Sequence, residues 1–146
     1  MIDADGLNIL AAHREMLEHA PKGSILTPHP GEFKRLAGDW QDDFEKVEKL
    51  REMSRQYQLN IVLKGAFTVT ATPEGKCFFN NSGNPGMATG GSGDVLTGMI
   101  AGLLAQGYEP ENAAVAAVYL HGMAGDFAVA DLSAPYITAK DIIKYL

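Results

Sequence analysis

Cysteine is nearly absent from this sequence. Cys77 is the only one, so no disulfide can form within the chain and no cysteine cluster can hold a metal. A protein without disulfides is typical of a reducing compartment, and we expect the cytoplasm. Basic residues are also few: 12 lysines and arginines stand against 18 aspartates and glutamates, a net charge of −6. Because no basic stripe is present, nucleic acid is not expected as a partner.

Long hydrophobic runs are missing as well. The continuous apolar runs are far shorter than the roughly 20 residues that span a bilayer, and no signal peptide precedes the first acidic residues. No membrane partner is therefore expected. What is present is ordinary for a globular chain of 146 residues: 46% are hydrophobic and 21% are charged. This length and composition allow one domain with a core.

The start of the chain is unusual. Met1-Ile2-Asp3 has the pattern of the last residues of a buried strand, and Ala4 to Asn8 that of a turn facing a ligand. Domains rarely open on the end of a core strand. We therefore expect residues 1–146 to be the C-terminal portion of a single larger domain.

Hydrophobic periodicity predicts alternating strands and helices. The alternation indicates an α/β fold, with a layered sheet and flanking helices. The apolar run 60–64 is typical of a parallel central strand, and the alanine-rich helix 111–130 is expected to pack closely on all sides. The predicted helices are 7–19, 31–36, 43–57, one from the glycine-rich loop to 107, 111–130 and 138–146, and the predicted strands are 24–27, 60–64, 67–71 and 77–80.

A glycine-rich loop, Gly83 to Gly93, runs into a strongly helical segment with Asp94 at the junction. Glycines let successive backbone N–H groups converge, and a helix N-terminus adds unpaired donors and a positive dipole end. This combination predicts an anion site. An acid is a poor anion ligand, but it can act as a base while the donors hold a phosphoryl group.

Known glycine motifs do not account for this loop. No Gly-Lys-Ser/Thr closes it as in a P-loop, Gly91-x-Gly93 does not continue as a dinucleotide fingerprint, and Asp94 stands where a nucleophile elbow needs glycine. The structural alternative is a flexible turn with Asp94 as the N-cap of the helix. The twelve-residue context, 83–94, favours phosphate chemistry.

Two more candidate turns follow strands. Lys64 ends the run 60–64, where it is either a nucleotide-phosphate contact or an exposed strand-end lysine. His29 and Glu32 lie in a Pro-His-Pro-Gly-Glu turn, where we expect a substrate contact from His29 and a water-mediated Mg²⁺ contact from Glu32, unless the segment is only a surface turn. Ligands of open α/β sheets bind beyond the carboxyl ends of the strands, so these turns are expected to meet. His121 is interpreted as a hydrogen-bonded core histidine.

Five segments carry a resemblance to a known family: 3–8, 26–32, 62–66, 83–96 and 119–126, of which the long motif ending in Gly93-Asp94 is family-specific. Together they closely resemble the C-terminal half of the ADP/ATP-dependent NAD(P)H-hydrate dehydratases, a branch of the ribokinase-like superfamily. The resemblance implies a repair lyase that removes water from the S-form hydrates of NADH and NADPH. In that scheme ADP or ATP phosphorylates the hydrate hydroxyl, phosphate leaves, and Mg²⁺ assists.

The resemblance also implies a role for each matching residue. Asp94 resembles the base that takes the hydroxyl proton and contacts the hydrate, and His29 resembles a further hydrate contact. The backbone of Gly91, Ser92 and Gly93 resembles the anion hole for the transferred phosphoryl group. The nucleotide-binding residues are expected to be Lys64, Gly65, Ala66, Phe67 and Thr68, with Gly93.

Two other functions remain open from the sequence. One is a ribokinase-like kinase of a small hydroxymethyl or hydroxyethyl substrate, which would release a stable phosphorylated product. The other is a non-catalytic fragment that binds nucleotide without turnover. Relatives of this family associate, so a homo-oligomer is expected, and the sequence does not choose between ADP and ATP.

Overall fold

The computed structural model describes all 146 residues. They form two compact units, Met1–Phe79 and Asn80–Leu146. The first unit contains the strands and the second is helical.

The sheet of the first unit has four strands in the order β1-β2-β3-β4. They are β1 (Ile25–Leu26), β2 (Asn60–Leu63), β3 (Val69–Ala71) and β4 (Cys77–Phe79). β1 and β2 are parallel, whereas β2–β3 and β3–β4 are antiparallel, and Ile2 makes a parallel bridge to Leu26. The expected central strand therefore has one parallel and one antiparallel neighbour, because the short 64–68 connection can join antiparallel strands but cannot make a crossover.

Three helices belong to this unit: α1 (Asp5–Ala12), α2 (Pro30–Ala37) and α3 (Asp43–Tyr57). α3 has the predicted bounds, since Asp42 accepts a hydrogen bond from the Glu45 N–H at 2.8 Å and caps it. The core beneath the helices includes a set of fully buried side chains from helices and strands: Leu7, Leu26, Phe33, Leu50 and Ile61.

The prediction of one helix over 7–19 was wrong. The chain leaves helical geometry at His13 (φ −131°, ψ 67°) and continues as a 3₁₀ helix, Arg14–His19. The tighter winding changes which side chains share a face. Leu17 stays in the core at 1% exposure, whereas its neighbour Met16 is 46% exposed.

The second unit consists of α4 (Ser92–Ala105), α5 (Pro110–Leu132) and α6 (Ala139–Lys144). α6 begins where predicted, with a capping box between Thr138 and Asp141. Hydrogen bonds from Thr138 lower the pKa of Asp141 to about 2. A small core joins α5 to α6 through Ala124, Ala128, Ile137 and Ile142.

α5 does not pack closely on all sides, contrary to the expectation. Tyr119, Leu120 and Phe127 are each about half exposed. By length and composition alone α5 could cross a membrane, but this is weak evidence, because a buried core helix passes the same test and half of its most apolar window is buried. Gly122 and Gly125 are the α5 positions where an added Cβ would meet Ser82 and Met87.

Candidate functional site

In the first unit, polar side chains gather at the carboxyl ends of the parallel segments. Asp3 follows Ile2, His29 follows β1, and Lys64 follows β2. The turns meet, because the Lys64 N–H donates to the Pro28 carbonyl at 2.9 Å. We refer to Asp3, His29, Glu32 and Lys64 as the strand-end cluster.

Lys64 forms an ion pair with Asp3, with Nζ 3.1 Å from Oδ1. Their side chains are only 22% and 10% exposed. The ammonium therefore lies at the carboxyl end of the strands rather than in open solvent, and Asp3 already compensates part of its charge. Asp3 was not anticipated as a site residue; the signal was an acid directly after Ile2, a partly buried residue that makes a parallel bridge to Leu26.

The turn after Asp3 is strained. Ala4 has φ +50° and ψ −124°, a conformation that costs a residue with a Cβ energy. Its N–H donates to Asp3 Oδ1 at 2.8 Å, which fixes the carboxylate while Lys64 approaches it. Strained backbone of this kind clusters at binding and catalytic sites, and this is an observation that sequence patterns do not reveal.

His29 and Glu32 form a capping box at the start of α2. His29 Nδ1 accepts from the N–H groups of Gly31 at 3.0 Å and Glu32 at 3.2 Å, and Glu32 Oε2 accepts from the His29 N–H at 2.8 Å. Because Nδ1 faces two donors, its lone pair must be free, so a neutral ring carries its proton on Nε2. Half of the His29 side chain is exposed, and it can offer this N–H to a ligand.

The Glu32 carboxylate is much less available than His29. Its side chain is 8% exposed, and Oε1 lies 3.5 Å from His29 Nε2. No group of three or more histidine, cysteine or acidic side chains in the chain is placed to hold a metal ion. Any ion near Glu32 would therefore need most of its ligands from water or from a bound molecule.

The segment from Lys64 to Thr68 forms a tight turn. Thr68 Oγ1 accepts from the Gly65 N–H at 3.3 Å and donates to the Gly65 carbonyl at 3.1 Å. Phe67 is 72% exposed at the tip, and a Cβ on Gly65 would meet nothing within 4 Å. The turn thus has an open surface that a planar ring or a phosphate can approach.

In the second unit, the glycine-rich loop ends at the start of α4. Gly91 is the N-cap, with φ +87°, a conformation that favours glycine. The Ser92 N–H bonds to the Thr89 carbonyl at 3.3 Å, and the Val95 N–H makes the first helical bond, to Gly91, at 3.1 Å. The donors of Gly93 and Asp94 lie between these two and have no partner within the helix.

Asp94 is exposed and is the third residue of α4. The alternative that Asp94 caps the helix is wrong, because Gly91 occupies the N-cap position. An exposed carboxylate in this position can take the proton of a hydroxyl group. The neighbouring unpaired backbone donors can at the same time bind the phosphoryl group that the hydroxyl oxygen attacks.

His121 of α5 lies below this helix start, with Nε2 3.4 Å from Ser92 Oγ. Burial lowers the pKa of His121, so the imidazole is neutral at physiological pH. His121 is therefore hydrogen-bonded as interpreted, but it is partly buried rather than a core residue.

Asp126, also on α5, was not anticipated from the sequence. Its Oδ2 accepts from the Gly83 N–H and its Oδ1 from Asn84 Nδ2, each at 2.8 Å. The signal that could have found it is Gly122-x-x-Gly125-Asp126, where two small residues allow a close approach and an acid follows them.

Comparison with known proteins identifies relatives of the chain. The family described as NAD(P)H-hydrate dehydratase matches residues 1–146. The bifunctional NAD(P)H-hydrate repair enzyme of Moorella thermoacetica is 46% identical over the whole chain, which corresponds to 28% of that enzyme.

Solved structures also resemble this chain in both sequence and fold. An ADP/ATP-dependent NAD(P)H-hydrate dehydratase from Bacillus subtilis, co-crystallised with ATP and Mg²⁺, has a TM-score of 0.75 and 38% identity, over 86% of this chain and 49% of that one. A ribokinase-like superfamily protein of Enterococcus faecalis has a TM-score of 0.74 and 30% identity, over 98% and 49%. The predicted ribokinase-like α/β fold is confirmed, and the chain spans about half the length of these structures.

Proposed function

This chain belongs to the NAD(P)H-hydrate dehydratase family, and on that basis we propose that residues 1–146 are the C-terminal portion of one dehydratase domain. Its proposed reaction is the ADP- or ATP-dependent dehydration of the S-form NAD(P)H hydrate to NAD(P)H, a metabolite repair in the cytoplasm. The observation that carries the proposal is the glycine-rich loop that ends at unpaired donors of α4 beside the exposed Asp94.

Asp94 is the proposed base of the phosphoryl transfer. It accepts the proton of the hydrate hydroxyl as that oxygen bonds to the terminal phosphorus of the nucleotide, which releases AMP from ADP or ADP from ATP. The backbone of Gly91, Ser92 and Gly93 is the proposed anion hole. Gly93 supports this role best, since its N–H lacks a helical partner, whereas the Ser92 N–H already bonds to Thr89.

Elimination completes the proposed reaction. The original C–O bond of the phosphorylated hydrate breaks, phosphate leaves with the electron pair, and a proton leaves the neighbouring ring carbon as the ring double bond forms. Phosphoryl transfer of this kind depends on position and on compensation of charge more than on covalent chemistry of the protein. His29, whose side chain is half exposed, is the proposed donor to the hydrate through its Nε2–H.

The nucleotide is proposed to lie on the turn formed by Lys64, Gly65, Ala66, Phe67 and Thr68. Lys64 retains donors that its single bond to Asp3 does not use, and the exposed Phe67 offers an apolar face. Gly93 is proposed to contact the nucleotide as well.

Mg²⁺ fits this proposal as an ion held mainly by nucleotide phosphates. Within the strand-end cluster two carboxylates, Asp3 and Glu32, stand against one ammonium, Lys64, so an added cation would improve the balance of charge. Glu32 would contact the ion through water, because its own oxygens maintain the capping box. When bound, the ion supplies compensation of phosphate charge.

Self-association is proposed too. Phe79 is 63% exposed on the edge strand β4, and such edges favour association. Light scattering on the purified chain would test this, and a monomer at micromolar concentration would contradict it.

The reaction itself is tested by mixing the chain with Mg²⁺, NADH hydrate and either ADP or ATP. We expect reduced nicotinamide absorbance and free phosphate to appear in equal amounts. A stable phosphorylated product without NADH would instead indicate a kinase of a small hydroxylated substrate. Calorimetric binding of ADP without turnover would indicate a non-catalytic nucleotide-binding fragment and would overturn the proposal.

A further inference from the structure

We infer that Asp126 is a positioning residue that fixes the glycine-rich loop in front of α4. Its effect on loop order stands by itself, and its effect on catalysis rests on the proposed function. Asp126 lies one turn beyond Gly122 on α5, on the side of the helix that the loop crosses.

The two glycines of α5 bring the loop close enough for Asp126 to reach it. A Cβ on Gly122 would lie 2.2 Å from Ser82 Oγ and 2.7 Å from the Ser82 carbonyl carbon. A Cβ on Gly125 would lie 2.2 Å from Met87 Sδ. The backbone of Ser82, directly before the loop, therefore rests on α5 at Gly122 with no room for a side chain, whereas the neighbour of Gly125 is the flexible Met87 side chain.

The Asp126 carboxylate then joins two donors of the loop. Oδ2 accepts from the Gly83 N–H and Oδ1 from Asn84 Nδ2, each at 2.8 Å. The Asn84 amide oxygen in turn accepts from the Gly86 N–H at 3.0 Å, where it caps the 3₁₀ turn Pro85–Met87. Every bond in this series has a carbonyl or carboxylate oxygen facing an N–H, so the carboxylate cannot be replaced by an amide without placing two donors face to face.

This series of bonds holds one end of the loop, and the start of α4 holds the other. The turn Pro85–Met87 leads within four residues to Gly91, whose φ of +87° sets the direction of the helix start. The Gly86 carbonyl also accepts from the Ile137 N–H at 3.2 Å. Releasing Gly83 and Asn84 would free the loop to adopt conformations in which the donors beside Asp94 no longer face a phosphoryl group.

The test is amide hydrogen exchange of peptides that cover residues 80–92. In Asp126→Asn we expect exchange to accelerate about tenfold, the scale of one lost charge-assisted hydrogen bond. The double variant Asn84→Asp with Asp126→Asn exchanges donor and acceptor. The amide introduced at position 126 can accept from the Gly83 N–H and donate to the carboxylate introduced at position 84, which still accepts from the Gly86 N–H. We expect this double variant to restore the wild-type exchange rate.

The matched control is Asp131→Asn, which removes another carboxylate from α5, one that accepts from the Tyr145 hydroxyl. Exchange over 80–92 should not change in this variant. Loop exchange that is unchanged in Asp126→Asn, or acceleration that the double variant does not reverse, would overturn the inference.

Activity gives a second readout. In the hydrate assay we expect kcat of Asp126→Asn to fall about tenfold while the KM for the nucleotide stays within about twofold, and the double variant to recover kcat. A general loss of structure would not be reversed by exchanging the two side chains. If the wild-type chain turns over no hydrate, the proposed function fails, but the exchange measurements still decide the role of Asp126.

Discussion

The two units hold their candidate site residues in opposite ways. In the first, the side chains of Lys64, His29 and Glu32 are already engaged, in an ion pair with Asp3 and in a capping box. In the second, the candidate groups are backbone donors without a helical partner and the exposed Asp94. The candidate site residues of the first unit also stabilise its structure. Those of the second unit are free of such bonds and remain available to a ligand.

This difference predicts how each region responds to mutation. Replacing Lys64 should change stability and binding together, because its ammonium serves both the ion pair with Asp3 and the proposed nucleotide contact. Replacing Asp94 should change the reaction and leave the fold as it is, since an exposed carboxylate holds nothing in place. The four predictions below test this contrast, in order of decreasing effect.

Asp94→Asn should abolish most of the proposed turnover. Losing a general base typically costs about 10²–10⁴ in rate, whereas losing one acid from the first helical turn costs only about 0.3–1 kcal/mol of stability. Hydrate conversion and a thermal melt measure the two effects. Glu111→Gln, which removes an acid from the first turn of α5, is the control and should turn over normally. Near-wild-type activity of Asp94→Asn would refute the base assignment.

Gly122→Ala should destabilise the second unit by about 1–3 kcal/mol, the usual cost of overpacking. The added Cβ would meet the backbone of Ser82, which cannot rotate away as a side chain can. Gly98→Ala on α4 is the matched control, because a Cβ there meets nothing within 4 Å. That variant should gain about 0.4–1 kcal/mol. Urea unfolding measures both, and equal changes in the two variants would contradict the described contact between the loop and α5.

Lys64→Ala should weaken ADP binding about tenfold, the scale of one lost hydrogen bond to a charged group. Asp3→Asn breaks the same ion pair but keeps the ammonium, so it should not weaken ADP binding. Calorimetry gives both dissociation constants, and thermal melts should show that both variants lose stability. An unchanged dissociation constant for ADP in Lys64→Ala would mean that Lys64 only stabilises the fold through its ion pair with Asp3.

The smallest predicted effect concerns His121. Burial lowers its pKa below the ordinary value of 6.5, so the unfolded chain binds the proton more readily than the folded one. The stability that neutral His121 contributes is therefore complete above about pH 6.5 and is lost as the pH falls below it. Denaturant melts of the wild type and His121→Gln between about pH 7 and pH 5 measure this, and wild type should lose more stability. If the free energy of unfolding falls equally with pH in both proteins, the pKa of His121 does not change on folding.

Local signals in the sequence were sufficient for much of the fold. The starts of α3 and α6 agree with the predicted ranges 43–57 and 138–146, where Asp42 and Thr138 cap the helices through bonds to residues three positions on. The predicted strands 67–71 and 77–80 correspond to the paired strands β3 and β4. The end of α1 did not follow, since periodicity alone cannot show that the chain changes its winding at His13.

Residue types alone specify the chemical character of the site: a glycine-rich loop, an acid at the start of a helix, and a lysine and a histidine after strands. Which of these groups are engaged depends on the folded arrangement. Lys64 meets Asp3 across 61 residues of chain, and Asp126 meets Gly83 across 43. Caps and turns depend on neighbours a few residues away, so they can be predicted from the sequence, whereas bonds between distant residues form only when the sheet register and the packing of α5 bring donor and acceptor within reach.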